Sequence, residues 1–403
     1  MARHRVGIWL VGARGSVATA SIVGLVALQK GWTGDVGLVS RLPVFQHLPL
    51  SPWQDFCVAG HDIRATSLVE SASQLSADRG ALDPQLVKRC QRELTAIDRR
   101  ICQGTVLHVG ETIADLAAPE VRRRRESPWE AVRRLQADMQ QFVKQEQLKQ
   151  LVVVHLASTE PPFDLGQLPA TWPDMERMLQ KRATQRLSLP ASSLYAIAAL
   201  DLGYPYINFT PSLGAAPPAI QQLAQLRETC HMGCDGKTGE TLVKTVLAPM
   251  FANRHLDVMS WVGHNIFGNM DARVLDDPQN KSSKVVTKDR VLGNILGYAP
   301  QTLVSIENIA SLGDWKTAWD HIHFRGFLGT PMTMQFVWQG CDSLLAAPLV
   351  LDLVRFTWYA WQRGDRGLLT FLASFFKHPL GVAEHDFGRQ FQMLAEWAQR
   401  STV

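Results

Sequence analysis

VGIWLVGARGSVATASIVGLVAL (Val6–Leu28) decides how this chain folds. Val6–Val11 is an unbroken apolar run of strand length. Gly12 and Gly15 punctuate it, and from Ser16 the apolar residues take a helical pattern through Leu28. Strand, glycine turn and helix in that order are the setting of a dinucleotide fingerprint, where free amides at the helix start bind a pyrophosphate. Gly12 permits the tight turn and Gly15 the close approach of a ligand. Ala13, Arg14, Ser16 and Val17 complete the candidate cofactor loop. The match is imperfect, because Arg14 stands where the pattern has its middle glycine. A side chain there crowds the turn unless it swings away or contacts the adenine.

The same alternation continues along the chain. Apolar runs at 36–39, 56–59, 151–156 and 205–207 are separated by helical stretches, clearest at 82–101, 128–148 and 192–202. Continuous apolar strands between helices predict an α/β fold with a Rossmann-type, doubly wound parallel sheet. The 56–59 run leads into Gly60-His61-Asp62, and Asp62 is a candidate partner for the adenosine ribose. It lies farther along the chain than a second-strand acid usually does. In open α/β sheets the ligand crevice lies beyond the carboxyl ends of the strands. That rule points to Ser158-Thr159-Glu160-Pro161-Pro162 and Asn208-Phe209-Thr210-Pro211-Ser212, with Ser158, Thr159, Asn208 and Thr210 as candidate cofactor contacts.

Composition bounds the function. The 403 residues are 46% hydrophobic and 19% charged, with a net charge of +4, as expected of a globular protein with an ample core. No zinc pattern or aromatic-basic module is visible, so nucleic acid is not the expected partner, and Arg122–Arg125 reads as a solvated helix face. Cys57, Cys90, Cys102, Cys230, Cys234 and Cys341 form no disulfide framework, which predicts a reducing cytoplasm. Cys230-His231-x-x-Cys234 has no second pair at zinc spacing and reads as structural thiols. The Val6–Val11 run is too short for a signal-peptide core. The apolar stretch from Leu344 is broken by Asp352 and Arg355, short of a membrane span.

Four patches carry lysines with chemistry in reach. In Ser260–Arg290, the polar loop Asn265-x-x-Gly268-Asn269-x-Asp271 suits a hydroxyl-rich ligand. Lys284 and Lys288 follow, sharing one face if that segment is helical, where like charges repel unless an anion lies between them. Gly233–Thr241 is a glycine-rich, hydroxyl-bearing turn before a helix expected from about Leu242, and its amides suit a phosphate. The remaining patches are Gly313-Asp314-Trp315-Lys316 and Phe375-Phe376-Lys377-His378-Pro379. Apolar company lowers a lysine's pKa, which is one way enzymes recruit lysine for acid-base work.

The order of these motifs resembles the myo-inositol-1-phosphate synthase family, from Val6 to about Leu380. Ala157-Ser158-Thr159-Glu160 is similar to its A-N-T-E, and Gly60-His61-Asp62-Ile63 to its G-W-D-I. Leu189–Ala196 with Tyr206-Ile207-Asn208 resembles S-P-S-T-L-Y-A … I-N-G-S-P, and Gly233–Thr241 resembles G-D-D-F-K-S-G-Q-T. Asn265–Lys288 is in register with N-H-L-G-N-N-D … R-S-K-E-x-S-K. Cys341–Pro348 answers E-D-S-L-L-A-T-P, and Phe376–Leu380 answers L-K-A-P-L.

The resemblance implies a Rossmann domain interrupted by a smaller α+β catalytic and tetramerisation domain. The expected divisions are 1–235, 236–339 and a C-terminal return at 340–403. It implies NAD-dependent conversion of glucose 6-phosphate to inositol phosphate by oxidation at C5, enolisation, aldol closure and re-reduction. NAD is the implied cofactor, a monovalent or divalent cation a possible second one, and a homotetramer the implied assembly. Lys284, Lys316 and Lys377 would serve the substrate oxygens and proton transfers, and Asp235 and Asp342 would stand near the nicotinamide and reacting carbons. Lys288, Thr238, Gly239 and the amide of Glu240 would hold the phosphate. Asn265, Asn269 and Asp271 would hold hydroxyls or the phosphate end. Gly12, Gly15, Ser16 and Asp62 would hold the dinucleotide. Departures stand at Arg14, at Phe209 for Gly, at Ser212-Leu213 for Gln-Asn, at Cys234 for Asp and at Glu240 for Gln. They leave open a related enzyme acting on another sugar phosphate, or a non-catalytic binder of NAD or a sugar phosphate.

Overall fold

β1 (Val6–Val11) is buried at all six positions because helices cover both of its faces. A computed structural model describes residues 5–77, 80–181, 188–268 and 292–400. Ile8 and Leu10 pack with the helices Ser16–Lys30, Pro84–Asp98 and Asp342–Arg363, while Trp9 and Val11 pack with Pro128–Gln145 and Ala191–Asp201. The strand's period of two sends alternate residues to opposite layers, which makes the sheet doubly wound. The flanking helices carry their own start signals. Asp83 accepts from the Gln85 amide, and Ser127 with Glu130 forms a capping box ahead of Pro128.

β2 (Phe56–Asp62), β3 (Ile101–Gln103), β4 (Gln150–His155), β5 (Tyr206–Asn208) and β6 (Cys230–Gly233) follow in the same sheet. The second sheet holds β7 (Asp257–Phe267), β8 (Gln301–Asn308), β9 (Trp315–Arg325) and β10 (Pro331–Cys341), and β11 (Gly367–Leu368) returns to the first. The first sheet runs β11-β6-β5-β4-β1-β2-β3, with every pairing parallel. Strand order reverses between β1 and β4, so the crevice expected of such a sheet opens at their carboxyl ends.

The apolar run at 36–39 is not a strand. Val36 is 98% exposed, and Val39–Arg41 begins a series of short 3-10 turns. The buried carboxylate of Asp352 accepts from the amides of Val39 and Ser40, leaving them unavailable to a sheet. Because this segment forms turns and not a strand, Phe56 opens the second strand and Asp62 closes it. The acid therefore stands at the usual ribose position after all.

The second sheet runs β10-β9-β7-β8, with β7 and β8 parallel and the other pairs antiparallel. The helix Gly239–Asn253 covers one face, where Phe251 meets Trp261 and Phe324 at ring distances of 6.1 and 5.0 Å. That helix starts at Gly239, three residues ahead of the sequence expectation. From β10 the chain passes directly into Asp342–Arg363. This 22-residue helix has the length and composition of a membrane span, yet 78% of its apolar window is buried inside the protein. Its two interior charged residues, Asp352 and Arg355, are held by Ser40.

Candidate active site

A crevice opens where the carboxyl ends of β1, β2, β4 and β6 face the second sheet. The glycine turn supplies Gly12, Gly15, Ser16 and Val17 to its wall, and Asp62, Ser158, Glu160 and Asp235 stand at strand ends. Thr238 and Thr241 come from the start of the Gly239–Asn253 helix, and Phe267, Ile306 and Lys316 from the second sheet. Asp342 and Lys377 complete it.

The turn is built for a close ligand. Gly12 has φ +80°, and a Cβ there would lie 2.9 Å from Ala157 Cα. Gly15 caps the Ser16–Lys30 helix without a side-chain hydrogen bond, so its first amides remain available to an anion. Arg14 does not crowd this turn. Its Nε donates to Asp98 Oδ1 at 2.9 Å and its Nη1 to the Arg64 carbonyl at 3.0 Å, which carries the guanidinium off the cavity wall.

Two ion pairs face the same space. Lys377 reaches it because Phe376 bridges to Gly236 and the Lys377 amide donates to the Asp235 carbonyl at 2.7 Å. Its Nζ lies 2.9 Å from Asp235 Oδ1. Burial pulls the Lys377 pKa down, but Asp235, with Asp342 and Glu240 behind it, outweighs burial and leaves it above the ordinary lysine value. The expectation that apolar company lowers it is thus reversed by a carboxylate distant in sequence. Opposite, Lys316 Nζ stands 3.7 Å from Asp342 Oδ2 and 5.4 Å from the centre of the Phe267 ring. Preorganised ammonium groups beside carboxylates in a partly closed cavity can stabilise oxyanions and exchange protons with a substrate.

Residues 6–399 match the family model described as myo-inositol-1-phosphate synthase. The chain belongs to the myo-inositol-1-phosphate synthase family. It is 31% identical to inositol-3-phosphate synthase 1 of Bacteroides thetaiotaomicron, across 98% of this chain and 95% of that one. It is 28% identical to the Saccharomyces cerevisiae inositol-3-phosphate synthase over 62% of this chain and 52% of that one. Among solved structures, inositol-3-phosphate synthase of Caenorhabditis elegans superposes with a TM-score of 0.86 at 21% identity, covering 98% and 85% of the two chains. A myo-inositol-1-phosphate synthase-related protein of Thermotoga maritima gives 0.79 at 24%, covering 98% and 99%. The myo-inositol-1-phosphate synthase family binds NAD, and the glycine turn, the open helix amides and Asp62 fit that dinucleotide.

The remaining candidates divide into three groups. Lys284, Lys288, Asn269 and Asp271 lie outside the described residues. A second group sits behind the wall as scaffold. Ala13 and Thr159 are buried, and the Asn208 Oδ1 accepts from the amide and hydroxyl of Thr210, whose carbonyl accepts from the Asp235 amide. Asn265 is fully buried within β7 and donates to the Ser305 carbonyl, so its side chain does not line the cavity as expected of a hydroxyl-binding residue. Third, Glu240 turns its carboxylate inward onto Lys244 Nζ at 2.5 Å, away from the turn whose amides were expected to bind phosphate. Gly239, with φ +54°, lies beside the Trp338 indole and Asp342.

Two departures from the family pattern are one exchange. The pattern has Gly at 209 and Phe at 236; this chain has Phe209 and Gly236. The Phe209 ring occupies the space over Gly236, where an added Cβ would lie 2.1 Å from its Cζ. The Cys230 and Cys234 thiols are free, and burial pushes both up to about 12, as structural thiols require. Among the described residues no group of three or more His, Cys, Asp or Glu is arranged to hold a metal ion.

Glu160 and His155 are wall residues that the sequence did not single out, although Glu160 lay within a quoted motif. Glu160 accepts from the Ser192 amide at 2.8 Å and from its hydroxyl, while its own amide donates to the Ser212 hydroxyl oxygen at 3.1 Å. It therefore ties the loops after β4 and β5 to the start of the Ala191–Asp201 helix. Burial raises its pKa to about 7, against the opposing Ser192 hydrogen bonds. A carboxyl raised from 4.5 binds its proton more tightly folded than unfolded, so its contribution falls as pH rises from about 4.5 to 7. Urea denaturation of wild type and Glu160→Gln across that interval is expected to show the wild type losing roughly 3 kcal/mol relative to the variant. Parallel curves would remove the raised pKa.

Proposed function

We propose that this protein is an inositol-3-phosphate synthase that cyclises D-glucose 6-phosphate to 1D-myo-inositol 3-phosphate. One observation carries the reading: Lys316 with Asp342 and Lys377 with Asp235 open into the crevice that begins at the glycine turn. NAD held by Gly12, Gly15, Ser16, Val17, Asp62 and Ser158 would supply a hydride acceptor for C5 that returns the hydride, leaving no net redox change. The chain's own residues handle charge and protons. The Lys377 ammonium stabilises negative charge developing on a substrate oxygen, and Asp235 at 2.9 Å holds that ammonium and takes or returns its proton. Lys316 and Asp342 provide a second pair in the same cavity. Thr238 caps the Gly239–Asn253 helix without a side-chain hydrogen bond, which leaves the Gly239 and Glu240 amides to the substrate phosphate.

Lys284 and Lys288 belong to the same reading, as a third cation at the reacting oxygens and a cation on the phosphate. So do the boundaries 1–235, 236–339 and 340–403, a cytoplasmic location and a homotetramer. A half-exposed sheet face supports assembly: Trp319 stacks on His264 at 5.7 Å, with Leu303 and Val337 exposed on neighbouring strands. A monovalent or divalent cation would be a second cofactor.

The test is incubation with glucose 6-phosphate and NAD, followed by phosphorus NMR and absorbance at the NADH maximum. Inositol phosphate forming without accumulated NADH is the expected result. Stoichiometric NADH would favour oxidation of another kind, and bound NAD without turnover on any sugar phosphate would favour a binder.

A further inference from the structure

The corner of the crevice at Asp62 holds more charge than a ribose needs. Asp62 Oδ2 accepts from the Arg14 amide at 2.6 Å, and Oδ1 accepts from the Arg64 amide at 2.8 Å with the Arg64 Nε at 3.5 Å. Two arginines thus donate their backbone amides to one strand-end carboxylate, and the Arg64 guanidinium stands beside it. In dinucleotide folds, an acid at this place takes the free ribose hydroxyls, whereas a nearby arginine accommodates a 2′-phosphate. This corner has the parts for either.

What separates them is Asp98. It sits at the end of the Pro84–Asp98 helix, and its Oδ1 takes the Arg14 Nε at 2.9 Å and the Leu68 amide at 3.1 Å. The Arg64 carbonyl holds the other end of the same guanidinium. Arg14 is thereby paired and turned from the cavity, while Arg64 and Asp62 face it. Asp62 and Asp98 balance Arg14 and Arg64, so the corner offers a doubly charged phosphate no net attraction. Glu70, which also feels the Arg14 charge, adds to the negative side.

We propose that Asp98 is a specificity-determining residue: by holding the Arg14 guanidinium away from Asp62, it makes the site select a dinucleotide with a free 2′-hydroxyl. Without Asp98, Arg14 is released into a corner already rooted at the ribose end and becomes a 2′-phosphate ligand. The proposal rests on the dinucleotide reading of the crevice.

The test measures NAD and NADP dissociation constants by titration calorimetry on cofactor-stripped protein. Wild type is expected to bind NAD at least about tenfold more tightly than NADP, the worth of one charge-assisted hydrogen bond. Asp98→Asn, which removes the charge that holds the Arg14 guanidinium and keeps a neutral oxygen for the Leu68 amide, is expected to tighten NADP about tenfold. Its NAD constant should move less than about threefold. The gain should vanish in Asp98→Asn/Arg14→Ala, whereas Arg14→Ala alone, which leaves Asp98 uncompensated, should not tighten NADP. Asp98→Ser, with circular dichroism as a folding check, is the second variant. Unchanged NADP affinity in both Asp98 variants while NAD still binds, or a gain that survives Arg14→Ala, overturns this inference alone. Wild type that binds neither dinucleotide overturns the cofactor reading with it.

Discussion

Lys377→Ala is expected to lower kcat on glucose 6-phosphate by about 10²- to 10³-fold, the usual cost of losing one preorganised charge at a developing oxyanion. NAD affinity should stay within about threefold, because the glycine turn and Asp62, the proposed dinucleotide ligands, remain intact. The side chain is fully charged at neutral pH. Burial lowers its pKa but Asp235, Asp342 and Glu240 raise it further, so its stabilising contribution is complete below 10.5 and is lost only as pH climbs through the raised value. In the resting cavity it is therefore a cation and potential acid, with Asp235 as its proton acceptor. Removing it also leaves Asp235 buried without its neutralising ammonium, at a cost of about 3 kcal/mol. That loss must be separated from catalysis. Asp235→Asn in the Lys377→Ala background should restore much of the urea midpoint and none of the kcat. A Lys377→Ala enzyme that turns over at the wild-type rate would exclude the proposed role.

What the sequence showed and what it hid follow the range of the interactions. The Val6–Leu28 strand, turn and helix were legible because apolar period, glycine and helix start lie within one window. So were the long amphipathic helices with Asp83 and Ser127 at their starts. The place of Asp62 was obscured because an apolar run at 36–39 imitates a strand, while the buried carboxylate of Asp352, over 300 residues on, holds it as a turn. Arg14 looked like an obstruction because Asp98 is distant in sequence. Phe209 looked like a loss because only the fold lays its ring over Gly236. Lys377 was expected to be depressed, since its neighbours in the chain are apolar and its carboxylate is 142 residues away. Among the described residues, a lysine that burial does lower, to about 7, is Lys237, packed against Gln390 and Phe387 and not on the cavity wall.

Glu240 leads to the second large effect. The family pattern has Gln there, and a carboxylate beside a phosphate site is unfavourable unless something turns it away. Lys244 does so from one helical turn on: its Nζ lies 2.5 Å from Glu240 Oε1 and 3.3 Å from Asp320 Oδ1, which also takes the Trp261 indole at 2.7 Å. Burial lowers the Lys244 pKa, and the two carboxylates more than reverse it. Asp320 is raised, by burial first and then by Glu240, against the pull of Lys244. One ammonium thus holds two buried carboxylates together between the Gly239–Asn253 helix and β9. Lys244→Met is expected to destabilise the protein by about 3–5 kcal/mol, because it leaves like charges facing each other out of water. Urea midpoints measure this. Glu240→Gln alone should cost little, since Asp320 remains to pair Lys244. Adding Glu240→Gln and Asp320→Asn to Lys244→Met should recover most of the loss. The pH dependence has a definite sign. In Lys244→Met the carboxylates hold protons more tightly folded than unfolded, so its deficit should shrink as pH falls from 7 toward 5. Activity should follow stability, because Thr238 and Thr241 at the start of this helix line the cavity. A loss below about 1 kcal/mol, or no recovery on neutralising the two acids, would mean that helix packing on Phe251 and Trp261, and not this ion cluster, fixes the start of this helix at the proposed phosphate site.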